Sequence, residues 1–190
     1  MFKRLSLTAG IFAAAAAPAF AHLDPTEHGS FMAGVSHPLT GADHILAMIA
    51  VGLWASQIGG RAIIAVPAAF VGTMAVGFLL AISGIGLPFV EPAILASVIG
   101  LGLLVATAVK LPLTASAAVV GAFALFHGHA HGGELGAAGA LQFGIGFLIS
   151  TAVLHAAGIG LGISLGRMGQ LVTRALGIVT ALAGAALVFG

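Results

Sequence analysis

Apolar stretches, each about as long as a lipid bilayer is thick, follow one another along most of this chain. A transmembrane helix needs about 20 consecutive, mostly apolar residues. Stretches of this kind occupy residues 38–58, 62–83, 92–109, 113–131, 137–164 and 171–189. The breaks between them are short and carry glycine, proline or charged residues, and such breaks join antiparallel neighbours. The sequence therefore predicts an all-α, polytopic membrane helical bundle with six transmembrane helices.

Composition excludes a water-soluble domain. Hydrophobic residues make up 60% of the chain and charged residues 6%, whereas about a quarter of the residues of a soluble domain are charged. A chain of 190 residues has too little interior to bury so much apolar surface. Cysteine is absent from the sequence, so disulfides and thiolate metal sites are excluded. The few basic residues do not form the basic face that nucleic acid requires.

The N-terminus is typical of a secretory signal peptide. Lys3 and Arg4 precede the apolar run Leu5–Ala17, and Ala19-Phe20-Ala21 provides a small-x-small cleavage site. We therefore predict a cleavable signal peptide over residues 1–21, with an uncleaved first helix as the alternative. An exported N-terminal segment, 22–36, and a six-helix transmembrane domain, 37–190, follow.

The distribution of charge predicts the orientation in the membrane. Export of the mature N-terminus places the loops after the first, third and fifth spans in the cytoplasm. The basic residues lie in these loops or, for Arg174, just inside the sixth span, as the positive-inside rule requires. The basic residues are Arg61, Lys110, Arg167 and Arg174, and the acidic ones on the other side are Asp24, Glu27, Glu91 and Glu134. The sequence thus predicts a multi-pass protein of the bacterial inner membrane with both mature termini in the periplasm.

Two further features concern packing. Gly158, Gly162 and Gly166 have the spacing that lets transmembrane helices approach closely. Trp54 lies near the inner end of the first span, where tryptophan commonly anchors a helix at the interface. The glycine-rich faces could pack within one chain or between copies in a homo-oligomer.

The first span begins with the polar segment "SHPLTGADHILAM". Pro38 suits a first helical position and leaves His37 near the N-cap, while Asp43 and His44 lie inside the span. An ionisable residue at that depth costs at least a few kcal/mol and is a functional candidate. On a straight helix His37 and His44 would be about 10 Å apart along the axis. Either they act in sequence, or the turn around Gly41 is distorted.

The fourth span ends with "FHGHAHGGE". His127 and His131 are four residues apart on one helix face, a spacing that suits two imidazoles on one metal ion, and Glu134 continues that face. His129 points the other way unless the neighbouring glycines break the helix. Because the first and fourth spans run in opposite directions, both polar groups are expected in the outer leaflet at a comparable depth.

Nitrogen and oxygen donors without thiolates favour nickel, cobalt or zinc over copper(I). Two carboxylates would also neutralise a divalent ion and reduce its desolvation cost. If the first and fourth spans touch, Asp43, His44, His127 and His131 could surround one position, and Glu134 would supply the second carboxylate. His155 is either a second station on an inward path or a hydrogen-bonded structural histidine. His22 and His28 either capture metal at the surface or belong to a polar linker.

The segments "HPLTGADHILAMIAVGLWA" and "FHGHAHGGE" resemble the two hallmark motifs of the HupE/UreJ family. Its members are bacterial membrane proteins associated with nickel-dependent hydrogenase and urease systems and regarded as nickel or cobalt permeases. The resemblance carries the family's metal-site residues over to His37, Asp43, His44, His127, His131 and Glu134. It also implies cytoplasmic metallochaperones of hydrogenase or urease maturation as partners.

Together these features predict a permease that moves nickel, or cobalt as the next candidate, from periplasm to cytoplasm. The divalent ion (Ni²⁺ or Co²⁺) is cargo, and no permanently bound cofactor is expected. The chain has no P-loop motif for ATP hydrolysis, and Gly162–Gly166, a G-x-S-x-G match, lies at the end of an apolar helix instead of in a hydrolase elbow. The alternatives are a metal-binding sensor or accessory protein, a haem-binding cytochrome subunit and an intramembrane metalloenzyme.

Overall fold

The computed structural model describes residues 30–135 and 139–189, without the side chain of Glu134. The predicted signal peptide, 1–21, and the first part of the exported segment lie outside the described residues. The helices are α1 (Phe31–Ser36), which continues into a 3-10 turn (His37–Leu39), α2 (Ala42–Ile58), α3 (Ala62–Ile82), α4 (Val90–Thr107), α5 (Leu113–Leu135), α6 (Ala140–Gly166) and α7 (Gln170–Phe189). The predicted all-α bundle is confirmed, and the helical structure begins within the segment assigned to 22–36.

The helices α3 to α7 are each long and apolar enough to cross a membrane. The segments Phe31–Leu39 and Ala42–Ile58 pass the same test only together, as one broken span, which raises the total from five to six. The predicted multi-pass architecture is thus confirmed, with helix ends within a few residues of the expected positions. What the sequence did not specify is the shape of the first span.

The first span is broken inside its polar motif. Pro38 has no N–H to donate, and Thr40 donates both its backbone N–H and its hydroxyl to the carbonyl of His37, at 3.1 and 2.8 Å. Gly41 then adopts an extended conformation, and α2 begins directly after it. The two parts meet at 80°. The prediction of one straight helix over 38–58 is therefore wrong. The alternative, a distorted turn around Gly41, is what the structure shows.

Reciprocal pairs of glycines let the helices pack with their backbones in contact. At each of these positions a Cβ atom would overlap the backbone of the partner helix, so only glycine fits. The pairs are Gly34 and Gly146 (α1 with α6), Gly52 and Gly158 (α2 with α6), Gly77 and Gly128 (α3 with α5), and Gly102 and Gly177 (α4 with α7). The predicted role of Gly158 is confirmed and Gly162 packs against Ser56, whereas Gly166 faces open space.

The end of α4 is held by side chains from two other helices. Trp54 and Gln57 of α2 donate to the carbonyls of Val109 and Val105, at 2.8 and 3.1 Å. Arg174 of α7 donates to the carbonyl of Ala106 at 2.8 Å. Trp54 is fully buried, so its predicted role as an interfacial anchor is wrong. These bonds also bring the basic loops of the chain to one end of the bundle.

Candidate functional site

Four histidines, which we call the histidine cluster, lie at the end of the bundle opposite the basic loops. His37 comes from the 3-10 turn, His44 from the first turn of α2, and His127 and His131 from α5. Their rings contact one another edge-on, with centroid distances of 4.5 Å (His37 to His131), 4.4 Å (His131 to His44) and 4.7 Å (His44 to His127). The predicted convergence of the two histidine motifs is confirmed.

His131 lies between His37 and His44. Its Nδ1 lies 2.7 Å from Nε2 of His37, and its Nε2 lies 3.3 Å from Nδ1 of His44. A neutral imidazole has one N–H, so within this chain His131 donates to one of these neighbours and accepts from the other. When it donates to His37, His44 donates from Nδ1 and keeps a lone pair on its buried Nε2.

The break at Gly41 makes this arrangement possible. The chain bends by 80° between the segment that ends in the 3-10 turn and α2. Because of this bend, His37 and His44 approach opposite nitrogens of the His131 ring. The backbones of α2 and α5 do not pack closely, and the imidazoles fill the space between them. Phe147 of α6 contacts His131 and His44, with ring centroids 4.8 and 5.5 Å apart, and forms an apolar wall beside the cluster.

His127 is the deepest member of the histidine cluster and is fully buried. Its Nε2 lies 2.8 Å from the hydroxyl of Ser97 on α4. Its Nδ1, like Nε2 of His44, is buried and has no hydrogen-bond partner within the described part of the chain. Because most buried polar atoms in native structures are paired, these two nitrogens require a specific explanation, such as a bound water, an ion or a functional role.

His155 extends the line of imidazoles towards the basic end. His155 contacts Phe70 of α3, which also contacts His127; the ring centroid of Phe70 lies 5.1 Å from that of His155 and 5.8 Å from that of His127. It is 1% exposed, and neither ring nitrogen has a hydrogen-bond partner among the residues described. The structure thus differs from the interpretation of His155 as a hydrogen-bonded structural histidine.

Neither of the carboxylates predicted for the site has a described hydrogen bond to the imidazoles. Asp43 is half-buried in the first turn of α2, with its carboxylate beside Gly41, where a negative charge suits the helix N-terminus. The hydrogen bonds described for the histidines end on other imidazoles, on Ser97 and on a backbone carbonyl, and none on Asp43. Glu134 belongs to α5, but its side chain lies outside the described residues.

The remaining candidates do not join the cluster in the described structure. Helix α5 continues to Leu135, so the idea that its glycines break the helix is wrong. His129 points away from the cluster and lies 2.8 Å from the carbonyl oxygen of Ile85. His22 and His28 lie outside the described residues.

Comparison with known proteins identifies the family. A family model described as "HupE / UreJ protein" matches residues 10–187. The chain belongs to the HupE/UreJ family. Protein HupE of Rhizobium leguminosarum bv. viciae is 52% identical to it over 181 residues, which cover 94% of this chain and 95% of that protein. A search of solved structures finds no match. The resemblance of the two histidine motifs to this family is confirmed.

The described side chains of this HupE/UreJ protein do not form a ready-made cage for an ion. Within 30–135 and 139–189, leaving aside the side chain of Glu134, no three histidine, aspartate or glutamate side chains are arranged to hold a metal as they stand. Both nitrogens of His131 are engaged with neighbouring rings. The donor set nevertheless suits borderline divalent cations, because it offers several imidazoles and no thiolate.

Sequence reasoning missed two members of this HupE/UreJ site. Ser97 bonds His127, and Phe70 contacts both His127 and His155. A hydroxyl in the middle of an apolar span is a signal that could have drawn attention to Ser97. Nothing in the sequence separates Phe70 from other core aromatics, and only its position between two imidazoles reveals it.

Proposed function

We propose that this protein is a permease that admits a divalent transition metal, nickel first and cobalt next, from the periplasm to the cytoplasm. The cargo would pass along the histidine cluster and then to His155. The proposal rests on family membership and on one observation, four imidazoles in successive contact inside a membrane bundle, with the buried His155 beyond Phe70. Chemically, such a series offers a borderline cation successive nitrogen ligands.

The unpartnered nitrogens carry this proposal. Leaving a buried polar atom without a partner costs roughly 1–3 kcal/mol, yet His44, His127 and His155 all carry such atoms. Proteins retain such a cost at functional sites. A neutral imidazole can coordinate a metal ion through its unprotonated nitrogen, which carries a lone pair.

The hydrogen bonds within the cluster suit transport better than storage. An ion that binds His131 must replace at least one of its hydrogen bonds with coordination, and a hydrogen bond contributes only about 1 kcal/mol net. The replaced bond can form again when the ion moves on to the next imidazole. A conducting site must bind strongly enough to select and weakly enough to release, and this exchange supports both.

Charge and family together suggest the direction of transport. The basic loops lie at the end opposite the histidine cluster, so the positive-inside rule places the cluster at the periplasmic side. A negative membrane potential would then favour inward movement of a doubly charged ion by roughly 4–5 kcal/mol per 100 mV. Capture of the ion by cytoplasmic metallochaperones would add to this. ATP hydrolysis by this chain is not part of the proposal.

The test is uptake of radioactive nickel into proteoliposomes that contain the purified protein. We expect His44→Gln and His127→Gln to reduce the initial rate at least about tenfold, because each removes an imidazole from the path, as loss of even an indirect metal contact can do. Glutamine has a similar volume, so the packing around each site is preserved.

His129→Gln is the matched control. It makes the same substitution two residues from His127 on the same helix, but at a side chain that bonds Ile85 and points away from the cluster. We expect near wild-type uptake. Equal rates in all these variants would refute the path. Nickel binding without accumulation would support the metal sensor, and a strong Soret band in the purified protein would support the haem-binding subunit.

A further inference from the structure

Ser97 of α4 makes two short contacts inside the bundle. Its side chain is fully buried, and its hydroxyl oxygen lies 2.6 Å from the carbonyl of Ile94 and 2.8 Å from Nε2 of His127. A serine hydroxyl has a single hydrogen and two lone pairs. If the hydroxyl donates its hydrogen in one of these hydrogen bonds, it must therefore accept in the other.

The hydrogen of Ser97 belongs to the bond with Ile94. A carbonyl oxygen can only accept, and two oxygens 2.6 Å apart repel unless a hydrogen lies between them. With its hydrogen used there, the hydroxyl can only accept from the ring of His127. Nε2 of His127 is therefore the protonated nitrogen, and Nδ1 carries the lone pair.

The consequence concerns the atom that His127 can offer to a ligand. Nδ1 is buried and has no hydrogen-bond partner within the described residues. Without Ser97, a neutral histidine could hold its proton on either nitrogen. In metal proteins the nitrogen opposite the metal is commonly fixed by a hydrogen bond of this kind, which also orients the ring.

We propose that Ser97 is a positioning residue that holds His127 as the Nε2–H tautomer and thereby makes Nδ1 the nitrogen that receives the divalent cation. This inference rests on the proposed transport function for the identity of the cation. It adds α4 to the helices that build the site, and it assigns the coordinating atom of the deepest histidine in the cluster.

The first test measures the tautomer directly, without metal. Nitrogen NMR of the ¹⁵N-histidine-labelled protein in chelator-treated nanodiscs distinguishes protonated from unprotonated ring nitrogens, and His127→Gln identifies the signals of His127. We expect wild-type His127 to be protonated on Nε2. Ser97→Ala should produce a mixture of tautomers, and Ser97→Thr, which retains the hydroxyl, should restore the wild-type pattern.

The second test measures nickel uptake. We expect Ser97→Ala to raise KM about tenfold or more, the usual effect of removing an indirect metal contact, with a smaller change in the maximal rate. Ser116→Ala is the control, because Ser116 is also a fully buried serine but bonds only the backbone carbonyls of Leu111 and Pro112. We expect it to leave KM unchanged.

The outcomes separate this inference from the transport proposal. A wild-type His127 protonated on Nδ1 would overturn the inference whatever the variants do, and so would an unchanged tautomer and KM in Ser97→Ala. If the tautomer depends on Ser97 but the wild-type protein moves no nickel, the positioning role stands and the transport function is refuted.

Discussion

Asp43 and the histidines lie close in the sequence but occupy different environments. The imidazoles of His44 and His127 are buried in the bundle, whereas Asp43 is half-buried in the turn where the first span bends. A carboxylate attracts a divalent cation at a distance, and its field is stronger where water is partly excluded. The position of Asp43 therefore fits the capture of ions at the mouth of the path better than a place in the buried series.

Asp43→Asn tests this division of roles. We expect nickel uptake at limiting metal to fall strongly, by about tenfold, because the charge that concentrates the cation is lost, while the shape is preserved. At saturating nickel the rate should recover towards that of the wild type. Initial rates over a range of nickel concentrations provide the measurement. A reduced maximal rate with an unchanged KM would instead place Asp43 at a step within the path.

The residues of the site could be predicted from the sequence to the extent that their chemistry is rare in a membrane. Histidines in apolar spans cost free energy, so His37, His44, His127 and His131 are recognisable as candidates from the sequence alone. Their mutual hydrogen bonds are not, because these depend on ring orientations and on the 80° bend. Ser97 gives a weaker signal, because small hydroxyl residues are common where transmembrane helices pack, and nothing in the sequence distinguishes Phe70 from other core aromatics.

The helices α3 and α5 form the most extensively packed pair in the bundle, and glycines set the distance between them. Gly77 faces the backbone of α5 at Leu125, and Gly128 faces the backbone of α3 at Met74. The sequence left open a break in the helix at the glycines around the histidines of α5. Gly128 and Gly132 instead pack closely against α3, whereas Gly133 does not, and the unbroken helix positions His127 and His131.

Gly128→Ala should destabilise the protein. The added Cβ would overlap the carbonyl oxygen of Met74, so α3 and α5 must move apart, and overpacking of this kind typically costs about 1–3 kcal/mol. The measurement is the midpoint of thermal unfolding in detergent. We expect a clear decrease.

Gly133→Ala provides the comparison on the same helix. Beyond its chain neighbours and its own helix backbone, a Cβ at Gly133 would meet no described atom within 4 Å, and alanine favours a helix over glycine by about 1 kcal/mol. We expect an unchanged or higher midpoint. If both variants unfold at the same temperature as the wild type, the close approach of α3 and α5 is not what stabilises this pair.

Helix number and approximate bounds followed from hydropathy alone because lipid demands long, uninterrupted helices. The break in the first span did not follow. Pro38, Thr40 and Gly41 are each compatible with a helix start, and only the bonds of Thr40 to His37 show that one helix stops there before another begins. The sequence also did not predict which helices pack against each other, because small residues on many helix faces allow several pairings.

Charge divides the bundle into two ends. Arg174 lies against the end of α4, and Arg61 and Lys110 belong to loops at that same end, whereas Asp43 and Glu91 begin helices at the other. The transport proposal requires the acidic end, which carries the histidine cluster, to face the periplasm. A protein inserted the other way would offer its histidines to cytoplasmic metal and would suit export.

The orientation can be measured with single cysteines, because the chain contains none of its own. Gly86 and Met168 are both exposed in loops, Gly86 at the end with the histidine cluster and Met168 at the basic end. A membrane-impermeant maleimide applied to intact spheroplasts should label Gly86→Cys fully, and Met168→Cys only after lysis. The positive-inside rule gives the physical reason, since arginine and lysine near helix ends resist transfer across the membrane. The opposite labelling pattern would reverse the direction of the proposed path, even if every histidine variant behaved as expected.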